Sequence, residues 1–253
     1  MNVRTETRGR VAVIRIDRPE KRNAIDAVTT RELDEALNRF EDDDEIWVGV
    51  LTGTPELFCA GTDIVSSSGG PTERGGKYGL VRRSRTKPLI AAVEGLALGG
   101  GFEVAMACDL VVASDAASFG LPETMRGLVA TSGALLRAMR CLPLNVAREL
   151  LITGARLDAR RAYDIGFVNR LADQGAAVES ALAMAEEICA ASPAAVRATL
   201  QALEEQWAEA DDTGWAATAR AQERIESGPD YQEGLAAFAE KRAPRWSGPG
   251  PVT

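Results

Sequence analysis

Short apolar runs alternate with amphipathic stretches along most of the chain, which is a pattern typical of α/β proteins. The β-rich segments are residues 11–16, 46–51, 88–93, 109–113 and 167–171. Because helical patterns lie between these segments, a largely parallel sheet is predicted. The alternation by itself favours a doubly wound sheet.

The clearest helical pattern covers residues 29–42. Leu33, Leu37 and Phe40 recur there at the spacing of one buried helix face. Thr29 and Glu32 have the spacing of a capping box, so the helix is predicted to begin at Thr29.

From about residue 176 the chain is predicted to be almost wholly helical. Ser192 and Pro193 are typical of an N-cap followed by the first helical position. Asp230 and Glu233 are expected to cap a last helix. These helices carry few apolar residues, so we expect them to pack on the core or on another subunit.

Composition narrows the class of protein. The chain has 253 residues, 45% of them hydrophobic, which is enough for one large domain core. Its net charge of −8 argues against binding to nucleic acid or to an anionic membrane. No apolar run is long enough to predict a transmembrane helix. The four cysteines are far apart, which fits a reducing cytoplasm and argues against a zinc site or disulfide framework.

The chain contains no histidine. This excludes Ser-His-Asp and Cys-His catalysis and any histidine-ligated metal, so no metal is expected. Acid–base chemistry near neutral pH must therefore use carboxylates, Lys, Tyr or Cys.

Two turns of small residues, 57–63 and 95–103, carry the strongest chemical signal. Each is predicted to open a helix, and a helix N-terminus presents unpaired N–H groups. Brought together, two such ends would hold an oxyanion. Glycines at 99–101 leave room for a substrate carbonyl, and the carboxylates of Glu103 and Glu123 follow. Cys59 is interpreted as a small buried residue rather than a nucleophile.

Residues 66–79 lack periodicity and are predicted to form a mobile loop. The stretch from Gly70 to Lys77 superficially resembles a phosphate-binding loop. Its spacing is one residue too long, and Tyr78 stands where Ser or Thr is required.

Several motifs in order resemble the crotonase superfamily, also called the enoyl-CoA hydratase/isomerase family. They cover nearly the whole chain and lie at residues 18–24, 58–64, 95–103, 107–109, 119–123, 151–154, 166–169 and 237–242. The segment after Glu123 departs from the usual hydratase pattern and resembles the branch near the carnitinyl-CoA dehydratases.

The resemblance implies a spiral of β-β-α turns rather than a doubly wound sheet. It places the spiral core in residues 1–190 and a helical trimerisation region in residues 191–253, which packs on the core and on a neighbouring subunit. A homotrimer or a dimer of trimers is therefore expected. No cofactor is expected, since coenzyme A is part of the substrate.

The resemblance also implies an acyl-CoA thioester whose enolate oxygen accepts hydrogen bonds from the N–H groups of Thr62 and Gly100. Glu103 then acts mainly as the base on water, and Glu123 exchanges the proton at the α-carbon. Separate pKa values are expected for two carboxyls that share a water. Residues matched to coenzyme A or substrate contacts are Arg22, Ala24, Ala60, Asp63, Ile64, Phe238 and Lys241.

Structural alternatives stay open for several of these residues. Glu103 could serve only the helix dipole, Glu123 could be a helix-start acid, and Asp63 could cap its own helix. Arg126 could pair with Glu123 or be solvated. A basic cluster at positions 82, 83, 85 and 87 could bind coenzyme A phosphates or form a solvated face.

The leading hypothesis is reversible hydration of a trans-2-enoyl-CoA to a 3-hydroxyacyl-CoA. The alternatives are a carnitinyl-CoA dehydratase-like lyase, a Δ3-Δ2-enoyl-CoA isomerase, and a non-catalytic acyl-CoA-binding protein.

Overall fold

The computed structural model describes residues 1–247, in which nine strands form two sheets. The strands are β1 (Val3–Arg8), β2 (Val11–Ile16), β3 (Val48–Thr52), β4 (Leu89–Val93), β5 (Leu96–Leu98), β6 (Leu110–Ser114), β7 (Ser118–Gly120), β8 (Arg156–Asp158) and β9 (Arg170–Ala172). The helices are α1 (Ala27–Asp42), α2 (Gly100–Met106), α3 (Ala134–Cys141), α4 (Leu144–Thr153), α5 (Ala159–Asp164), α6 (Ala177–Cys189), α7 (Pro193–Glu226) and α8 (Pro229–Glu240).

The two sheets are built by a repeated strand–strand–helix unit. The larger sheet has the order β1-β2-β3-β4-β6-β9, parallel except for the β1–β2 hairpin, and the smaller has the order β5-β7-β8. The chain passes from β4 to β5 to α2, and then from β6 to β7, so consecutive strands belong to different sheets. This is the spiral of β-β-α turns, and the doubly wound alternative is wrong.

The larger sheet is buried on both faces. Leu89, Ala91 and Val93 of β4 point into the main core, whereas Ile90 and Ala92 pack in a second cluster under α6. Strands covered on both faces read as continuous apolar runs, which is why the sequence pattern located them.

The N-terminus corrects two predictions. Strand β1 lacks an apolar pattern because only Val3 is buried, so it was not predicted. Helix α1 begins at Ala27 and not at Thr29: its N-cap is Asp26, whose Oδ1 accepts the Thr29 N–H at 2.8 Å. Glu32 does not close a capping box, because its carboxylate accepts the N–H of Val3 at 2.9 Å.

Smaller corrections concern element ends. Strand β3 was expected from residue 46 but begins at Val48, because the Ile46 N–H donates to the Asp43 carbonyl in the preceding turn. Strand β9 begins at Arg170, because Asn169 turns its side-chain oxygen to the Val111 N–H. The last helix is not capped by Asp230 or Glu233.

The described part of the C-terminal region is helical, as predicted. Ser192 caps α7, accepting the Ala195 N–H at 3.4 Å, and Pro193 is its first residue. Helix α7 contacts α3, and α8 contacts the 3₁₀ turn Thr124–Arg126. At the start of α8 the carboxylate of Asp230 accepts the Ser247 N–H, and Glu233 pairs with Arg242. The division at residue 190 and the contact with a neighbouring subunit stay predictions.

Candidate active site

The two turns of small residues lie side by side. Cys59 pairs with Ala97 as in a parallel bridge, and next to this bridge the two backbones approach closely at Gly61 and Gly101. A Cβ on Gly101 would lie 2.2 Å from the Cys59 carbonyl oxygen, and a Cβ on Gly61 would lie 3.0 Å from the Gly100 nitrogen. Glycine at these positions is therefore what allows the two turns to meet.

The 18–24 motif fixes the first turn. Buried Asn23 donates from Nδ2 to the Leu57 carbonyl at 2.7 Å, and Arg18 pairs with Asp63 at 2.9 Å. Burial raises the pKa of Asp63, but hydrogen bonds from Arg18 and from the N–H groups of Ser66 and Val65 outweigh it and hold the pKa below its ordinary value. The expected helix after Asp63 is absent from the described chain; its carboxylate closes a turn instead.

The second turn leads into α2, whose first residue is Gly100. Within residues 1–247 neither the Thr62 N–H nor the Gly100 N–H donates a hydrogen bond to the protein. Two backbone donors therefore stand free on neighbouring turns, and Thr62 lines the cavity that contains Glu103 and Glu123.

Glu103 lies one helical turn further along α2 and is 2% exposed. Its Oε1 accepts the N–H groups of Ser132 at 2.7 Å and Ala134 at 3.0 Å. Burial raises the pKa of Glu103, while the two N–H groups and the nearby Lys77 ammonium oppose that rise. A carboxylate held by charge-assisted bonds from across the cavity is positioned for chemistry, beyond any interaction with its own helix.

Glu123 faces the glycine turn from the other side. A Cβ on Gly99 would lie 2.9 Å from its Oε1, so the carboxyl touches the turn itself. Its Oε2 is buried and has no hydrogen-bond partner in the described chain. Burial, followed by repulsion from Glu103, raises the pKa of Glu123 to about 8. Two carboxyls this close resist ionising together, and Glu123, whose Oε2 has no partner in the described chain, more readily keeps its proton.

A cavity of about 290 Å³ contains both glutamates. Its other walls come from the 62–67 turn, from the segment 128–131 and from helices α7 and α8. The helices contribute apolar Ile225 and Leu235 together with polar Gln222, Glu226 and Tyr231. The combination of partly apolar walls, two unequal carboxyls and free N–H donors suits acid–base chemistry on a carbonyl compound.

The sequence analysis missed two residues of this cavity, Lys77 and Tyr78. The Lys77 ammonium donates to Thr131 Oγ1 at 3.0 Å, and burial lowers its pKa. The Tyr78 hydroxyl forms a 2.6 Å hydrogen bond with Thr62 Oγ1 and lies 2.4 Å from where a Gly100 Cβ would be. Glycines at 75, 76 and 79 were the available signal, since they allow this loop to fold against the site.

The residues matched to coenzyme A contacts fall in two places. Arg22, Ala24 and Ala60 lie together, with the Ala60 N–H donating to the Arg22 carbonyl at 3.1 Å, and Ile64 lines the cavity. Phe238 and Lys241 lie at the end of α8 and do not line the cavity with the glutamates. Their role stays a prediction.

Three members of the basic cluster before β4, Arg83, Arg85 and Lys87, are buried and structural, so both the phosphate site and the solvated face are wrong for them. Arg85 is fully paired with Asp109, Arg83 pairs with Asp34, and the Lys87 ammonium donates to backbone carbonyls. Exposed Arg82 stacks on Trp215.

The structure also distinguishes the alternatives for Arg126 and Cys59. Arg126 does not pair with Glu123; its guanidinium lies 4.7 Å from the centre of the Phe238 ring. Cys59 is 0% exposed and burial raises its pKa to about 12, which confirms a small buried residue and not a nucleophile.

Comparison with known proteins agrees with this geometry. The sequence model of the enoyl-CoA hydratase/isomerase family matches residues 6–249. A carnitinyl-CoA dehydratase from Proteus mirabilis is 39% identical over 96% of this chain and 97% of its own. The mevalonyl-coenzyme A hydratase sidH of Aspergillus fumigatus is 37% identical over 93% of this chain and 91% of its own.

Solved structures show the same likeness. The crystal structure of carnitinyl-CoA hydratase from Mycobacterium avium superposes with a TM-score of 0.91 at 39% identity, over 97% of this chain and 98% of the other. The chain belongs to the crotonase superfamily, near the enoyl-CoA hydratase and carnitinyl-CoA dehydratase branches. Membership of this family supports an acyl-CoA thioester substrate and a hydratase-type activity. No helix among the described residues is long and apolar enough to cross a membrane.

Proposed function

We propose that this protein catalyses the reversible addition of water to a trans-2-enoyl-CoA, giving a 3-hydroxyacyl-CoA. The observation that carries the proposal is the unequal glutamate pair in one cavity. Glu103 is held as a carboxylate by two backbone N–H groups, and Glu123 keeps a buried, unpartnered oxygen beside the glycine turn.

The two carboxyls have complementary tasks. Glu103 accepts a proton from water as the water oxygen bonds to C3 of the enoyl group. The C2–C3 π electrons move toward the thioester carbonyl, forming an enolate. Glu123 then donates its proton to C2, which collapses the enolate to the thioester. Dehydration runs through the same steps in reverse, with the proton now on Glu103 at the start.

The enolate oxygen needs donors that are already oriented. We assign this task to the N–H groups of Thr62 and Gly100, because both are unpaired within residues 1–247 and lie on adjoining turns. Preorganised donors of this kind stabilise developing negative charge without reorganising during the reaction.

Coenzyme A enters the proposal only as part of the substrate, and no metal or other cofactor is required. We assign its nucleotide end to Arg22, Ala24 and Ala60, which are adjacent at the rim of the first turn. We further propose a homotrimer or dimer of trimers, in which Phe238 and Lys241 of α8 contact a neighbour's coenzyme A. The free thiols of all the cysteines support a reducing compartment, the cytoplasm.

The test is to mix the protein with short trans-2-enoyl-CoA esters and to monitor hydration through the loss of the absorbance of the conjugated thioester. Glu103→Gln and Glu123→Gln should each lower kcat by ~10²-fold or more, the usual contribution of one positioned acid or base. Saturated acyl-CoA should still bind to both variants. Near-wild-type turnover in either variant would remove that residue from the mechanism.

Solvent deuterium separates the remaining alternatives. An enoyl-CoA hydratase adds water and places deuterium at C2, whereas an isomerase moves the double bond without adding water. Tight acyl-CoA binding with neither reaction would identify a non-catalytic binding protein. The carnitinyl-type lyase is the second candidate, since several relatives carry that name, and it is tested by crotonobetainyl-CoA.

A further inference from the structure

Lys77 lines the cavity that contains the glutamates but makes no direct ion pair within residues 1–247. Its only hydrogen-bond acceptor in residues 1–247 is the neutral Thr131 hydroxyl, and no carboxylate there forms an ion pair with it. Lys87 shows what a structural buried lysine looks like in this chain: its ammonium donates to the Phe40 and Asp43 carbonyls at 2.8 and 2.6 Å. Two of the three ammonium donors of Lys77 are left for something else.

The position of Lys77 relates it to the acyl group and not to the nucleotide. Its acceptor Thr131 precedes Ser132, whose N–H holds Glu103. Lys77 and Thr131 also line the same cavity as Glu103 and Glu123, so the ammonium shares the space in which the acyl group would react.

The carboxyls that line the cavity with Lys77 are engaged by other groups or keep a proton. Glu103 accepts two backbone N–H groups, Glu123 is the protonated member of the pair, and Glu226 is exposed at the rim, where it accepts from Gln222. A partly dehydrated ammonium in this position is best stabilised by a ligand carboxylate, which forms a charge-assisted pair with it.

We propose that Lys77 selects a trans-2-enoyl-CoA whose acyl chain ends in a carboxylate a few bonds beyond C3. This inference rests on the proposed hydratase function and names its substrate class. A trimethylammonium group at the same place would face the Lys77 cation, so a carnitinyl-type substrate is disfavoured.

Binding of unreactive saturated esters tests the inference without turnover. Glutaryl-CoA, pentanoyl-CoA, 5-hydroxypentanoyl-CoA and 4-trimethylammoniobutyryl-CoA share coenzyme A and differ only at the acyl end. Titration calorimetry on the full chain should show glutaryl-CoA binding more tightly than each of the others. Lys77→Met should remove that preference, weakening glutaryl-CoA by roughly 30-fold or more, as expected for truncating one partner of a buried charge pair.

The matched control is Arg74→Met, because Arg74 lies on the same loop and its ion pair with Asp42 is exposed. It removes the same charge and should leave all four affinities unchanged. Pentanoyl-CoA binding by Lys77→Met, at wild-type strength, checks that the cavity is still folded. Equal affinities for all four esters in the wild type, or a glutaryl preference that survives in Lys77→Met, would overturn the inference, as would a preference for the hydroxyl or ammonium ester.

Hydration kinetics distinguish a failure of the Lys77 assignment from a failure of the proposed hydratase function. Glutaconyl-CoA should have a higher kcat/KM for hydration than pent-2-enoyl-CoA in the wild type, and Lys77→Met should reverse that order. If pent-2-enoyl-CoA is hydrated but carboxylate esters are not preferred, the Lys77 assignment fails and the hydratase stands. If no ester gains water but glutaryl-CoA binding depends on Lys77, the hydratase fails and the carboxylate site stands.

Discussion

Replacing Glu123 with glutamine should stabilise the fold, and the gain should grow as the pH rises from about 5 to 8. In the folded chain burial and the neighbouring Glu103 raise the pKa of Glu123 to about 8. In the unfolded chain a glutamate ionises near pH ~4.3. Between these values the unfolded state loses its proton while the folded state keeps it, so the wild-type free energy of unfolding falls with pH. Glutamine does not titrate and removes that loss.

The size of the effect follows from the same two pKa values. Each pH unit over which only the unfolded carboxyl ionises costs about 1.4 kcal/mol, which gives an upper limit of about 5 kcal/mol at pH 8. Water enters the open cavity and relieves part of this cost, so we expect about 2 kcal/mol. Below pH ~4 both states are protonated, and Glu123→Gln should differ little from the wild type.

Urea unfolding at fixed protein concentration, followed by circular dichroism at several pH values, measures the difference directly. The matched control is Glu73→Gln, because Glu73 is an exposed residue of the 66–79 loop. Its difference from wild type should be small at every pH. A Glu123→Gln variant that is less stable than wild type at pH 8, or equally stable across the range, would refute the reasoning, because the buried carboxyl would then have a partner in solution.

Three further outcomes are expected. The kcat/KM values for hydration and dehydration should have the same bell-shaped dependence on pH and fall above about pH 8, because both directions use the glutamate pair with one proton. Measuring pH–rate profiles in both directions checks this. Gly100→Ala and Gly100→Pro both place a Cβ against Tyr78, but only proline removes the N–H. Steady-state kinetics should therefore show a kcat for Gly100→Pro that is lower than that of Gly100→Ala by a factor of ~10²–10³. Light scattering at micromolar concentration should show a trimer or hexamer; a fully active monomer would contradict the assignment of Phe238 and Lys241.

Much of the fold was predictable because its strands are buried on both faces. Strand β4 is a continuous apolar run, and its position could be predicted from sequence to within a residue. Strand β1 could not, since an edge hairpin with one buried side chain leaves no pattern. The spiral itself followed from resemblance alone: periodicity locates strands, but it does not say that β4 and β5 belong to different sheets.

Glu103 was predictable because it follows the glycine turn, and Glu123 because it ends a motif of the family resemblance, whereas their pKa values depend on distant contacts. The partners of Glu103 are the N–H groups of Ser132 and Ala134, and a backbone N–H has no sequence signature. The isolation of the Glu123 carboxyl is likewise a property of packing, since its Oε2 is buried without a partner. A sequence shows which residues can act as acids or bases. It does not show whether hydrogen-bond partners surround such a side chain or are absent.

The 66–79 loop shows the same limit more sharply. Its glycines and serines predict mobility, yet Tyr78 is 1% exposed and has a φ of 59°, a left-handed conformation that is unfavourable for an aromatic residue. Such a conformation persists only when the surroundings hold it, here through the hydrogen bond to Thr62 and the fit against Gly100. The same turn of backbone sends Lys77 into the cavity beside Thr131. One strained residue thus joins the first turn, which carries the free Thr62 N–H, to the cation that we assign to substrate selection.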